Sequence, residues 1–267
     1  MKIFISSDIE GTCGAADWDE ALNPANYHWL GKQMTKEVSS AVQAAYDSGA
    51  EEVLVRDAHG SARNLDHDGL PVGTQLIRGW AHDIYCMMTG IDRTKFDAAI
   101  FTGYHSGSKS GGNPLSHTMH RYLDTIKING TNMSEFMLNA YTAGYFGVPV
   151  VFISGDEDIC NKAKQFIPDI TTVPVIEGIG GASICIHPAE ATEKIYNGVK
   201  EALSNGKAGK CLVKMPSKFE VVITYVDHIT AFHNSSYPGA SLISDTKVRF
   251  CATDYLDVLR FLHFCAD

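Results

Sequence analysis

Two carboxylates, Asp8 and Glu10, stand two residues apart in "SSDIEG", directly after the apolar run "MKIFI". On an extended chain that spacing turns both side chains to the same face, so both can reach one site. Polar residues recur where later apolar runs stop: Asp57 and His59 after "EVLVRD", His105 after "AAIFTGY". Glu135 opens a helical pattern behind Ser134. Asp8, Glu10, His59, His105 and Glu135 are all ligand types for a divalent ion, and carboxylate with imidazole suits zinc, as it does manganese, iron or cobalt. A single catalytic zinc takes about three ligands from protein, whereas two ions sharing one carboxylate use the whole set. Such a pair activates water and polarises a carbonyl or phosphoryl oxygen.

Each of these residues also has a structural role open to it. Asp8 and Glu10 could cap a turn, a single histidine is more often a satisfied structural group, and Glu135 in a first helical turn is favoured by the helix dipole alone. The case rests on convergence, because ligand types arrive at three successive strand ends. His117 lies twelve residues past His105, in "LSHTMH", and titrates near neutrality, which fits an acid, a base or a nucleophile. Spacing does not choose between it and His120.

The elements that must carry these residues alternate. "KIFIS" reads as a buried strand, followed by a helix from about Asn26 to Ser48, where Leu30, Met34, Val38, Val42 and Ala45 recur at helical intervals before Gly49. "EVLVRD", "AAIFTGY" and "VPVVFISGDE" are further strands, "TIKINGTN" is a hairpin turning at Asn129-Gly130, and "SEFMLNAYTAGYFG" is a helix capped by Ser134. Alternation predicts an α/β fold, a mostly parallel sheet with flanking helices, and ligands then bind beyond the carboxyl ends of its strands. Shorter apolar runs after Thr172 predict a smaller α+β subdomain, dividing the chain into residues 1–170 and 171–267. The Gly/Ser-rich stretch "SGSKSGGNPLSH" has the character of an active-site loop.

Composition narrows the class. The 267 residues carry a net charge of −9 and no basic block, which argues against nucleic acid or an anionic membrane as partner. No apolar run approaches a membrane span and no signal-peptide pattern opens the chain, so a cytoplasmic protein is expected. Seven scattered cysteines without a CxxC fit reduced thiols rather than a disulfide framework or thiolate metal site. A P-loop, a dinucleotide fingerprint and a GxSxG elbow are all missing.

The segments "SDIEGTCG", "EVLVRDAHGSARNL", "AIFTGYHSG", "LSHTMH" and "INGTNMSEFMLNAYTAGYFGVPVVFISGD" together resemble the DppA-type D-aminopeptidases, metallopeptidase family M55. They cover most of the first 160 residues, and "IPDITTVPV" extends the likeness. The resemblance implies two zinc ions held by Asp8 as bridge with Glu10, His59, His105 and Glu135, and a catalytic role for His117 rather than His120. It also implies cleavage of the N-terminal residue from short peptides, D-residues included, and a homodecamer of two stacked five-membered rings. Two positions depart from the family pattern: Ser106-Gly107 follow the metal histidine, and "EGIGGASICI" holds no basic residue. The expected activity is thus that of a binuclear aminopeptidase. The residues alone also fit a metallohydrolase of another bond, such as a phosphoester, or a non-catalytic, metal-stabilised assembly protein.

Overall fold

The computed structural model describes residues 1–22 and 28–266. The chain opens with β1 (Lys2–Ser7), then α1 (Trp18–Leu22), α2 (His28–Asp47), β2 (Glu52–Asp57), β3 (Gln75–Ile77) and β4 (Ala98–Tyr104). It leaves this layer for a hairpin, β5 (Leu123–Ile128) and β6 (Thr131–Asn132), and for α3 (Glu135–Tyr145). It then returns as β7 (Val150–Asp156), α4 (Glu157–Phe166), β8 (Thr171–Ile179) and β9 (Ala182–Cys185). After α5 (Pro188–Ser204), the strands β10 (Phe219–Tyr225), β11 (Ser241–Ser244) and β12 (Lys247–Ala252) alternate with α6 (His228–Asn234), and α7 (Tyr255–Cys265) closes the chain.

Seven strands form one sheet in the order β3-β2-β1-β4-β7-β8-β9, parallel throughout except for the β8–β9 pair. This is the α/β architecture the alternation predicts. Every residue of β4 and β7 is buried, as strands covered on both faces require, and their near-continuous apolar sequence follows from that. Chain order reverses between β1 and β4, which opens a crevice at their carboxyl ends.

The other five strands form an antiparallel sheet, β11-β12-β10-β5-β6. The expected division at residue 170 therefore does not follow the sheets. Strands β8 and β9 extend the parallel sheet, while β5 and β6, from the first part of the chain, pair with β10. Composition changes near Thr172 because β8 and β9 lie toward an edge, where one face is wetter. No helix among the described residues is long and apolar enough to cross a membrane.

Helix α2 buries Leu30, Met34, Val38, Val42 and Ala45 as expected, and packs on α5. Gly49 ends it with φ +90°, the left-handed stop that its sequence position suggested. The expected helix start at Asn26 lies outside the described residues. Ser134 caps α3 by accepting from the Met137 N–H, and Asn129 and Gly130 take φ values of 50° and 82° in the hairpin turn. Helix α3 touches both β4 and β7 of the parallel sheet and α7 of the second layer, so it spans the junction between layers.

Candidate metal centre

The strand exits are held backbone to backbone. Asp8 N–H donates to Thr102 O at 2.9 Å and Gly11 N–H to Gly103 O at 2.8 Å. Gly103 has φ +68°, and a Cβ there would stand 2.2 Å from Asp8 O; one on Gly11 would meet Tyr104 O at 1.8 Å. Only glycine permits this approach. The β4–β7 register also shifts between Phe101 and Tyr104, a bulge that re-aims the chain just before His105.

All five residues expected as ligands meet in the crevice. His59 Nδ1 lies 3.3 Å from Asp8 Oδ1 and 2.8 Å from Glu10 Oε2. His105 Nε2 lies 3.4 Å from both Asp8 Oδ2 and Glu135 Oε2. Exposure is 1–6% across the five. His117 joins them, with Nε2 3.5 Å from Glu135 Oε1 and its ring stacked on His105 at 4.4 Å. His120 instead stacks on Tyr122 at the cavity wall, so the structure separates the two histidines that spacing left equal.

The outer nitrogens of the three imidazoles each face a backbone carbonyl. His59 Nε2 is 3.0 Å from Ala21 O, His105 Nδ1 is 2.9 Å from Ser106 O and His117 Nδ1 is 3.0 Å from Leu115 O. A carbonyl can only accept, so a proton sits on each outer nitrogen, and the inner nitrogen facing the carboxylates is left to carry a second proton or to ligate a cation. Asp8 Oδ2, Glu10 Oε2 and His105 Nε2 are buried without a hydrogen bond, which is costly unless a cation or an added proton lies among them. Three donor groups are mutually within 4.8 Å: Asp8-Glu10-His59, Asp8-His105-Glu135 and Glu10-His105-His117. The first two share Asp8. Oxygen and imidazole nitrogen at these separations fit a divalent ion of the zinc kind.

Electrostatics point the same way. Among the described residues, no Lys or Arg pairs with Asp8, Glu10 or Glu135. Burial and repulsion from Glu10 push the Asp8 carboxyl well up. Burial works to raise Glu10 as well, but His59, His105 and His117 outweigh it and hold the carboxyl well down. Glu135 is likewise held at about 2 by His105 and His117 against burial. Burial disfavours charge on His59 and His105, yet the neighbouring carboxylates raise both. Protons on these two rings thus do what a bound cation would do. His117 is different: burial and the His105 charge lower it, which keeps it neutral.

Further residues support the cluster: Asp57, noted at its strand end, and others that the sequence did not single out. Asp57 accepts the N–H groups of Asn64 at 2.6 Å and Leu65 at 2.8 Å, so it shapes the loop that carries His59 rather than joining the ligands. Asp156, at the end of β7, accepts from Ser106 N at 2.6 Å and Ser106 Oγ at 2.6 Å, fixing the residue whose carbonyl holds His105. Met119 N–H donates to Glu135 Oε1 at 2.7 Å. A cavity of about 400 Å³ opens over the cluster, walled by Trp18, Trp80 and Arg121. Trp18 meets His117 edge-on at 5.0 Å and carries the Arg121 guanidinium 4.8 Å above its ring. His82, Cys86 and Met119, also in the wall, adopt φ values of 51–67°. Three of the described non-glycine residues with left-handed backbone thus fall in this wall, a placement that periodicity cannot reveal.

The sequence and the fold both have counterparts among known proteins. The profile of the D-aminopeptidase family, Peptidase_M55, matches residues 1–264. A D-aminopeptidase of Bacillus subtilis (strain 168) is 33% identical over 261 residues, 96% of this chain and 93% of that protein. The solved structure of the Zn-dependent D-aminopeptidase DppA from Bacillus subtilis, a self-compartmentalizing protease, superposes with a TM-score of 0.92 at 31% identity. That match covers 100% of this chain and 97% of the other. On the family profile, the sequence identity and the shared fold together, the chain belongs to the D-aminopeptidase family of M55 metallopeptidases.

Proposed function

We propose that the protein is a binuclear zinc-dependent aminopeptidase that removes the N-terminal residue of short peptides, D-configured residues among them. The observation that carries this reading is the pair of donor triads sharing Asp8. Asp8, Glu10 and His59 would hold one ion and Asp8, His105 and Glu135 the other, with Asp8 as bridge. The Zn dependence of the Bacillus relative supports the choice of metal. Bound zinc would supply Lewis-acid polarisation of the scissile carbonyl and a more acidic water.

The chain's own residues supply the rest. A bound ion or a carboxylate of the cavity would hold the free amine of a peptide, which favours cleavage at the N-terminus. Trp18 and Trp80 exclude water and give apolar surface to the side chains. His117 is neutral with a bare Nε2, so it takes up a proton during attack and returns it to the leaving amine. That role fits better than oxyanion stabilisation, which needs a donor at Nε2.

Apolar side chains exposed on the second layer, Ile229 and Phe232 (each 70%) and Phe264 (67%), support self-association. With the self-compartmentalizing relative, they favour the homodecamer expected above. The free state of all seven cysteines is consistent with the cytoplasm.

The test combines metal analysis with turnover of matched L- and D-aminoacyl peptides and of a phosphodiester. Two zinc ions per chain with peptide turnover, and loss of both in Glu135→Ala, is the expected result. Full activity after exhaustive metal removal, or turnover of the phosphodiester alone, refutes the reading.

A further inference from the structure

The cavity over the metal centre is lined by the carboxylates of Asp8, Glu10 and Glu135 and, apart from them, by the guanidinium of Arg121. Among the described lining residues Arg121 is the one permanent cation. The remaining carboxylate of the wall, Asp83, is occupied: its Oδ1 accepts the N–H groups of Tyr85 at 3.0 Å and Cys86 at 3.2 Å, and the Thr89 hydroxyl at 2.9 Å. Arg121 is not occupied. Among the described residues its guanidinium has no ion pair and no hydrogen bond, only the contact with the Trp18 ring. The group is nevertheless held in place. Its turn is closed by the Leu123 N–H donating to His120 O at 3.0 Å, and tied to the second sheet by the Val226 N–H donating to Tyr122 O at 3.1 Å. Two residues before Arg121, the Met119 N–H donates to Glu135 at 2.7 Å, which couples the turn to the metal centre.

We propose that Arg121 is the subsite for the C-terminal carboxylate of a short peptide, and that it sets the length of chain the cavity prefers. This rests on the peptidase reading above and names the substrate end opposite the one that reacts. A guanidinium presents five N–H donors in a planar fork that matches a carboxylate with two parallel hydrogen bonds. Contact with the face of Trp18 uses none of those donors in a hydrogen bond, so all five stay open to a ligand.

Distance then fixes the substrate. The guanidinium carbon lies 4.8 Å from the Trp18 ring centre, and that centre lies 5.0 Å from the His117 ring centre. Arg121 therefore stands no more than about 10 Å from His117, the span of about three extended residues. Part of that span is taken up by the ion pair itself, which leaves room for one or two residues beyond the scissile bond. Dipeptides and tripeptides with a free carboxylate fit, whereas a longer chain carries its carboxylate past the fork. An amidated peptide brings no charge to Arg121. The same carboxylate chemistry is found on an aspartate side chain, and the test separates the two sources.

The experiment compares alanine dipeptides, tripeptides and tetrapeptides, in L and D form, as free acids and as C-terminal amides, with an amidated dipeptide whose second residue is aspartate. The short free acids should exceed their amides and the tetrapeptide about tenfold in kcat/KM, with the difference carried by KM. Arg121→Gln should erase the gap between acid and amide, and Arg121→Lys, which keeps the charge without the fork, should recover part of it. Equal kcat/KM for acid and amide in the wild type overturns the subsite and leaves the peptidase reading standing. So does an amidated aspartyl peptide that matches the free acids, because the fork then reads side chains. Calorimetric binding of a dipeptide analogue with a reduced, uncleavable peptide bond decides the matter without turnover. Its free acid should bind the wild type about tenfold more tightly than its amide, and Arg121→Gln should bind both alike. Equal affinities in the wild type overturn the subsite, whereas failure to cleave any peptide refutes the peptidase reading instead.

Discussion

Glu37 gives a prediction that separates charge from packing. Its side chain is buried in α2, with Oε1 accepting two N–H groups and Oε2 without a partner. Burial is the largest influence and raises the carboxyl from 4.5 to about 7, the hydrogen bonds from Gln33 and Cys13 opposing it only in part. The folded protein therefore holds the Glu37 proton more tightly than the unfolded chain does. Stability from this group is complete below about pH 4.5 and falls as pH rises toward 7. Integrated from pH 5 to pH 8, the loss is about 2 to 3 kcal/mol. Glu37→Gln keeps the Oε1 acceptor and removes the titration. Any fixed cost of the new amide is equal at both pH values and cancels. In calorimetry, Tm of Glu37→Gln minus Tm of wild type should be higher at pH 8 than at pH 5 by about 4–10 °C for a chain of this size. An equal difference at both pH values refutes the buried, pH-raised carboxyl.

His117→Ala should lower kcat about 10²- to 10⁴-fold while zinc content stays at the wild-type level, checked by steady-state kinetics and metal analysis on one preparation. Asp156→Asn, which disturbs Ser106 and through it His105, should weaken zinc affinity about 10- to 100-fold in competition with a chelator, with the fold retained by circular dichroism. Phe152→Ala should cost about 3–5 kcal/mol in denaturant unfolding, because Phe152 is fully buried in β7 and a Cβ on Gly198 of α5 would stand only 2.7 Å from its ring. Dialysis against a chelator should abolish peptide turnover, and added zinc should restore it.

The candidate metal centre was legible because its residues follow strongly apolar runs, whose existence and type periodicity locates best. Asp8, Glu10, His59 and His105 each follow an unmistakable apolar run, and Ser134 marks the helix start at Glu135. The cavity wall was not legible. Trp18, Trp80 and Arg121 lie in short or irregular segments, and nothing local shows which way they face. The same limit hid the second sheet. Pairing of β5 with β10 joins residues 123–128 to 219–225, a contact that no window of sequence contains, so the division at residue 170 cut across it.

The donors of the crevice enter the chain in a fixed order, residues 8, 10, 59, 105 and 135. Protein synthesis runs in that direction, although a domain generally folds as a unit. The residues of the Asp8-Glu10-His59 group are all synthesised by the end of β2 and the turn after it, well before Glu135. The Asp8-His105-Glu135 group must wait for β4 to dock beside β1 and for the excursion that carries α3. The two donor groups are therefore completed at different points of synthesis, and both depend on the Asp8 that comes first in the chain.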